Sequence, residues 1–226
     1  TGVITVGAIV GMAAHLDGKG STILDLTGMA QKGGSVTSHI RIGPDPKGIY
    51  SSRLSEGMAD LLLACDLIVA AGPAVLKSVR PGHTAAVLNT DVAPTGEFQT
   101  NRHLDLGENT LAAAIVEAIE GGPAFRVHGS RLATELTGDS IGTNILMLGC
   151  AAQLGLMPLS IASIQQAIRL NGSFVAGNLR TFALGRLAVH DPDALARELV
   201  EPGDAVPLNT VDEVLASRIR LLTRYQ

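Results

Sequence analysis

Residues 24–43 read LDLTGMAQKGGSVTSHIRIG, and the way this stretch divides decides the fold. The run STILDL before it is apolar and ends at Asp25, which reads as a buried strand. After the glycines, SVTSHIRI alternates: Val36, Ser38, Ile40 and Ile42 face one way, Thr37, His39 and Arg41 the other. Such alternation predicts a half-buried strand. Between the two lies a loop, Thr27 to Gly34, at a strand's carboxyl end. Outward from here, helix and strand signals keep alternating. A helix is predicted from Val3 to Leu16, a short one from Glu56 to Ala64, and an apolar strand, DLIVAA, ending at Gly72-Pro73. Another short helix precedes the strand TAAVLN. The helix NTLAAAIVEAI stops at Gly121-Gly122, and AFRVHG is a further strand.

From there the chain turns helical. Asp139 is read as the cap of SIGTNILMLGCAAQLG, and Ser160 as the cap of IASIQQAIRL, which stops at Asn171-Gly172. A longer helix is expected from Ser173 to His190, and Asp191-Pro192 opens another. Strands separated by helices predict an α/β domain: a mostly parallel sheet, helices on both faces and a helical C-terminal third. In such sheets ligands bind beyond the carboxyl ends of the strands, which puts the loop after Thr27 near the functional edge.

The chain has 226 residues, enough for one large domain or a domain with a helical extension. Apolar residues make up 46% and charged residues 17%, with mean hydropathy +0.30, so the apolar surplus exceeds what a lone core uses and suggests interfaces. No apolar run is long enough to span a bilayer. The net charge of −4, with no Lys/Arg cluster, argues against nucleic acid and against an acidic membrane surface. Cys65 and Cys150 stand in apolar surroundings without a C-x-x-C, so neither a disulfide framework nor iron–sulfur ligation is expected, and a reducing cytoplasm is the natural setting.

Both ends read as cut from a longer polypeptide. An apolar helix opened by Gly2 ordinarily follows a buried strand and a tight turn. At the other end, Thr210 and Glu213 form a capping box before Val211, Val214, Leu215, Ile219, Leu222 and Tyr225, and that helix is still amphipathic at Gln226.

The chemical signals taken singly leave the activity open. Gly2 opens a helix and Asp25 ends the next strand, where a dinucleotide-binding fold holds an acidic residue. If Gly2 is the second glycine of G-x-G-x-x-G, however, the third position is Thr5. Lys32, Gly33, Gly34 and Ser35 supply a cation, two permissive backbones and a hydroxyl, which suits either an anion-binding nest or a tight turn. No P-loop and no G-x-S-x-G occurs, and the six histidines show no metal-ligand spacing. Asp139, Thr143 and Asn144 share the first turns of one helix, either facing a ligand or satisfying the helix start.

Taken together, TGVITVGAIVGMAAHLDGKGSTILDLTGMAQKGGSVTSHIRIG, LACDLIVAAG, LNTDVAPTGEF and SRLATELTGDSIGTNILMLG resemble the gamma domain of 2-oxoacid:ferredoxin oxidoreductases, above all the long fused indolepyruvate form. The resemblance implies a Rossmann-like three-layer domain over residues 1–190, its first strand and glycine turn cut off, with 191–226 a helical extension that begins the next region of the parent. It also implies the parent reaction: oxidative decarboxylation of a 2-oxoacid such as indolepyruvate to acyl-CoA, with electrons passed to ferredoxin. The parent's cofactors would be thiamine diphosphate with Mg²⁺, an iron–sulfur cluster and CoA. This chain shows neither a G-D-G…N motif nor cluster cysteines, so it is expected to be an accessory domain, inactive alone. Its expected partners are the thiamine diphosphate-binding domains or subunits and, indirectly, ferredoxin, in a homodimer or larger assembly.

No catalytic residue and no metal ligand is expected in it. Lys32, Gly33, Gly34 and Ser35, with Ser38 and Arg41 nearby, are the candidate residues for CoA phosphates or for the active-site edge. Two other readings stand beside this one: an NAD(P)-binding dehydrogenase domain, and a purely structural dimerisation domain.

Overall fold

A computed structural model describes residues 2–27, 35–92 and 108–200. The first helix, α1 (Gly2–Leu16), is apolar all round and accordingly buried on several sides. It leads to β1 (Gly20–Thr27) and β2 (Val36–Gly43), which pair antiparallel along their whole length from Gly20↔Gly43 to Thr27↔Val36. Gly11 lets α1 approach this hairpin closely: a β-carbon there would stand 2.6 Å from Cδ1 of Ile23.

The second sheet is parallel. It consists of β3 (Leu61–Ala64), β4 (Ala85–Asn89) and β5 (Ala124–Val127), with β4 central and buried along its whole length. Between β3 and β4 run two one-turn helices, α2 (Leu67–Ala70) and α3 (Pro73–Leu76), and before β5 comes α4 (Glu108–Ile119). The helical third comprises α5 (Gly129–Thr137), α6 (Thr143–Gln153), α7 (Ile161–Asn171), α8 (Val175–His190) and α9 (Pro192–Val200).

Alternation along β4 sets the layers. Ala86 and Leu88 face Leu67, Ala112, Ile115 and Ile119 on one side. Val87 faces Leu146, Met147 and Cys150 of α6 and Leu184 of α8 on the other. The third cluster joins Val6, Ile9 and Val10 of α1 to Leu148, Ile164, Ile168 and Phe182, with Ile40 and Ile42 of the hairpin against it. Burial of these large side chains, each worth about 1.5–3 kcal/mol, is the main stabilising term. At the α6–α8 crossing, Gly185 lies so near the backbone of Leu146 that a β-carbon would come within 3.1 Å of its Cα.

The expectation of helices on both faces of a sheet holds around β3–β5. That of one mostly parallel sheet needs correction, because SVTSHIRI pairs antiparallel with STILDL and the hairpin shares no ladder with β3–β5. Two local readings also change places. Residues 61–64, read as the end of a helix, are β3, and residues 67–70, read as strand, are α2. The cause is Asp66, whose carboxylate accepts from the N–H groups of Ile68 (2.9 Å) and Val69 (3.2 Å) and so starts a helix. Asp139 caps a 3-10 turn (Ser140–Gly142) that precedes α6 and does not cap α6 itself. Ser160 caps α7, which closes on left-handed Gly172 as expected. The capping box at Thr210 and Glu213, and the helix it opens, lie outside the described residues. Among the described residues no helix is long and apolar enough to cross a membrane.

Candidate functional site

The parallel strands all end on one side, and the residues just beyond them build a polar edge. Asn89, 1% exposed, is its hub. Its Nδ2 donates to the Cys65 carbonyl at 3.0 Å and to Ser130 Oγ at 2.9 Å. Its Oδ1 accepts from the N–H groups of Gly129 (2.9 Å), Ser130 (3.3 Å) and Asp91 (3.3 Å). Both halves of the amide are thus used in full, and the free N–H groups that open α5 are satisfied.

Beside it, Asp91 Oδ2 accepts from the Arg131 N–H at 2.7 Å, and Oδ1 lies 3.0 Å from His128 Nδ1. A carboxylate only accepts, so Nδ1 of His128 carries the proton. Thr90 Oγ1 stands 3.1 Å from the same nitrogen. Arg131 Nε donates outward to Glu135 at 2.7 Å, one turn along α5. The His128 and Arg131 side chains are mostly exposed, at 62% and 69%.

The start of α6 reaches the same edge, because Thr143 Oγ1 is 3.4 Å from Ser130 Oγ. Asn144 touches Gly2, which brings the first turn of α1 there as well. The end of β1 follows: a β-carbon on Gly7 would lie 3.8 Å from Asp25 Oδ1 and 3.9 Å from Ser38 Oγ, and the Ser38 hydroxyl donates to Asp25. The N-termini of α1, α2, α5 and α6 and the carboxyl ends of β1, β3, β4 and β5 therefore meet here. Helix N-termini attract anions, but Asp66 and Asp91 already occupy those of α2 and α5. Asn89, Asp91 and Asp66 are satisfied within the edge, and its exposed rim suits contact with another surface.

The structure divides the residues expected from sequence. Lys32, Gly33 and Gly34 lie outside the described residues. Ser35 is exposed where the chain enters β2. Ser38 faces α1 and is held by Asp25. Arg41 sits opposite Thr22 on the hairpin's other face, and Arg41 Nε and Thr22 Oγ1 are both buried without a hydrogen-bond partner among the described residues. Ser38 and Arg41 therefore do not converge. Next to Arg41, His39 Nδ1 accepts from the Leu54 N–H at 3.0 Å, and burial, helped by nearby Arg53, lowers its pKa.

Sequence reading missed Asn89, Asp91, His128 and Ser130. The signal was present: Asn89-Thr90-Asp91 and His128-Gly129-Ser130-Arg131 are runs with polar side chains at the end of an apolar strand. Neither cysteine is poised for chemistry. Burial pushes the Cys65 thiol, with Asp66 beside it, and the Cys150 thiol up to about 12. Among the described residues no three His, Cys, Asp or Glu side chains gather to hold a metal ion. These donors do not fit a cluster or the metal of thiamine diphosphate, and no step through either group is assigned to this chain.

The family described as pyruvate ferredoxin/flavodoxin oxidoreductase matches residues 1–188. Proteins named indolepyruvate oxidoreductase subunit IorB are similar along most of their length. The one from Thermococcus kodakarensis is 28% identical over 81% of this chain and 88% of its own, and that from Archaeoglobus fulgidus 29% over the same shares. In fold, the chain is similar to the gamma subunit of a keto/oxoacid ferredoxin oxidoreductase from Geobacter sulfurreducens PCA (TM-score 0.54, 18% identity, 83% of this chain and 90% of that one). It is also similar to the pyruvate oxidoreductase subunit PORC from Thermotoga maritima (TM-score 0.55, 16% identity, 82% and 88%).

Proposed function

The chain belongs to the pyruvate ferredoxin/flavodoxin oxidoreductase family as a gamma-type domain, part of a 2-oxoacid:ferredoxin oxidoreductase, and on that footing we propose that it is the accessory component of an enzyme acting on an arylpyruvate such as indolepyruvate. The family match over residues 1–188 carries this reading, and the names of the curated relatives support the substrate class. The internally satisfied edge supports the accessory role. Carbon–carbon cleavage and electron transfer belong to partner subunits that bind thiamine diphosphate and iron–sulfur clusters. This chain binds, orients and excludes water at their border, and does not turn over alone. Two free thiols suit a reducing compartment such as the cytoplasm.

Lys32, Gly33, Gly34 and Ser35 fall in the sequence between β1, which carries Asp25, and β2. The cation and glycine amides of this connection are of the chemistry that receives phosphates, and the ligand we assign to it is CoA as it meets the active site. Ser38, paired with Asp25, stands near that end of β2, whereas Arg41, paired with Thr22, lies toward the hairpin's other end. Calorimetric titration of the chain, alone and bound to its thiamine diphosphate-binding partner, with CoA and with NAD tests this. CoA heat that disappears in Lys32→Ala supports the reading. NAD heat overturns it in favour of a dehydrogenase. Silence with both ligands in the complex leaves the connection a docking surface only.

A further inference from the structure

The side of the molecule formed by α1 and β1 carries almost no charge. A helix packed on one face ordinarily turns charged residues to water on the other. In α1 the outward positions are instead Ile4, Ala8, Met12, His15 and Leu16, and the three large apolar ones are 41–43% exposed. Gly11 brings Ile23 of β1, itself 37% exposed, against this helix. Among the described residues β1 pairs with β2 alone, so its other edge is open. Natural edge strands are kept from pairing by lysine, proline, a bulge or short length. β1 has none of these: GSTILDLT runs eight residues in unbroken register with β2. Across α1 and β1 the one Asp, Glu, Lys or Arg is Asp25, although these types make up 17% of the chain.

We propose that this surface joins two copies of the chain about a twofold axis, with the β1 edges paired antiparallel and the two α1 helices side by side. Symmetry and charge select a second copy as the occupant. Two identical edge strands related by a twofold run antiparallel, and each supplies the donors and acceptors that the other leaves open. A twofold also sets like residues near one another, where like charges facing each other are destabilising. Here Asp25 is the single charge to keep apart from its copy. An axis at Ile23 does so: it sets each Asp25 opposite a Ser21 and brings the two Ile23 side chains together. The chain as a whole carries a net charge of −4, so two copies approach with least repulsion through a face that holds almost none of it. A different protein is selected by charge pattern, which this face does not offer. The proposal concerns assembly and stands apart from the reaction assigned above.

Analytical ultracentrifugation of the chain, alone and in complex with its thiamine diphosphate-binding partner, tests this. The expected result is a dimer of the chain in both samples. Met12→Glu and Ile23→Lys, each at an exposed position, should raise its dissociation constant about tenfold or more. Ile141→Glu, at an exposed apolar residue away from this face, should leave it unchanged. Cross-linking adds a readout that does not depend on a charged variant folding. Residues directly opposed in an antiparallel pair have Cα atoms about 4.5–5.5 Å apart, within the reach of a disulfide. Ile23→Cys should therefore give a covalent dimer under mild oxidation, lost on reduction. A chain that stays monomeric in both samples overturns the proposal. So does a dimer that survives both charged variants, and so does a dimer in which Ile23→Cys forms no cross-link. A monomer whose β1 amides are nonetheless protected from hydrogen exchange overturns it in favour of cover by another part of the polypeptide.

Discussion

Asn89 and Ser130 are joined twice: Asn89 Nδ2 donates to Ser130 Oγ at 2.9 Å, and Asn89 Oδ1 accepts the Ser130 backbone N–H at 3.3 Å. One buried side chain thereby fixes the end of β4 to the first turn of α5 and holds the edge in register.

Replacing Asn89 by Leu should therefore be costly. The N–H groups of Gly129 and Ser130 lose their acceptor in a buried setting, at about 1–3 kcal/mol for an orphaned group. Urea denaturation should show a loss of about 3 kcal/mol, given partial relaxation. Asn89→Asp, which keeps the accepting oxygen, should lose less than Asn89→Leu. Equal losses would mean that the amide hub is not what stabilises the edge.

Gly185→Ala should destabilise by about 1–3 kcal/mol, the usual cost of overpacking, because the new methyl meets the Leu146 backbone with no flexible side chain to move aside. Gly48→Ala, with open space at the position, is the control. Thermal melts of the pair separate packing from a general intolerance of alanine.

His39 gives a pH dependence with a definite sign. Its pKa is lowered in the fold, by burial first and by Arg53 second, so the native state disfavours the proton. Stability from this site is complete above the unfolded value of 6.5 and is lost as pH falls below it toward the folded value. Asp17, lowered from 3.8 chiefly by the Ser163 hydroxyl, adds a second loss in stronger acid. Melting temperature should thus decline from neutral pH downward, and His39→Gln should flatten the first part of that decline. An unchanged slope in the variant would remove His39 from the account.

Cys150, fully buried, should resist alkylation by iodoacetamide at mildly alkaline pH in the native protein and react at once in denaturant, and half-buried Cys65 should label slowly, because both stay thiols with values near 12. Rapid native labelling of either would contradict the buried environment described above.

What the sequence made legible was local. Ser160, Asn171 and Gly172 bound α7 through cap chemistry that sits within the helix's own ends. The run LLLACDLIVAA was not legible in the same way, because a continuous apolar stretch carries no period, and only the Asp66 cap divides strand from helix. Strand direction was hidden too: alternation placed Ile40 and Ile42 toward a core but could not say that Ile40 faces Ile23 in an antiparallel pair. Asn89 escaped notice since its partners Cys65 and Ser130 lie 24 and 41 residues away. Asp25 was legible as a strand-end acid, and its contact is Ser38 on the neighbouring strand.

The most direct measurement of the central claim is ferredoxin reduction by the chain and its thiamine diphosphate-binding partner, each alone and together, with indolepyruvate or pyruvate as substrate and CoA as acceptor. The account predicts that neither component works alone, that the pair reduces ferredoxin, and that indolepyruvate outperforms pyruvate. Full activity of the partner without this chain, or reduction of NAD by this chain alone, would contradict it.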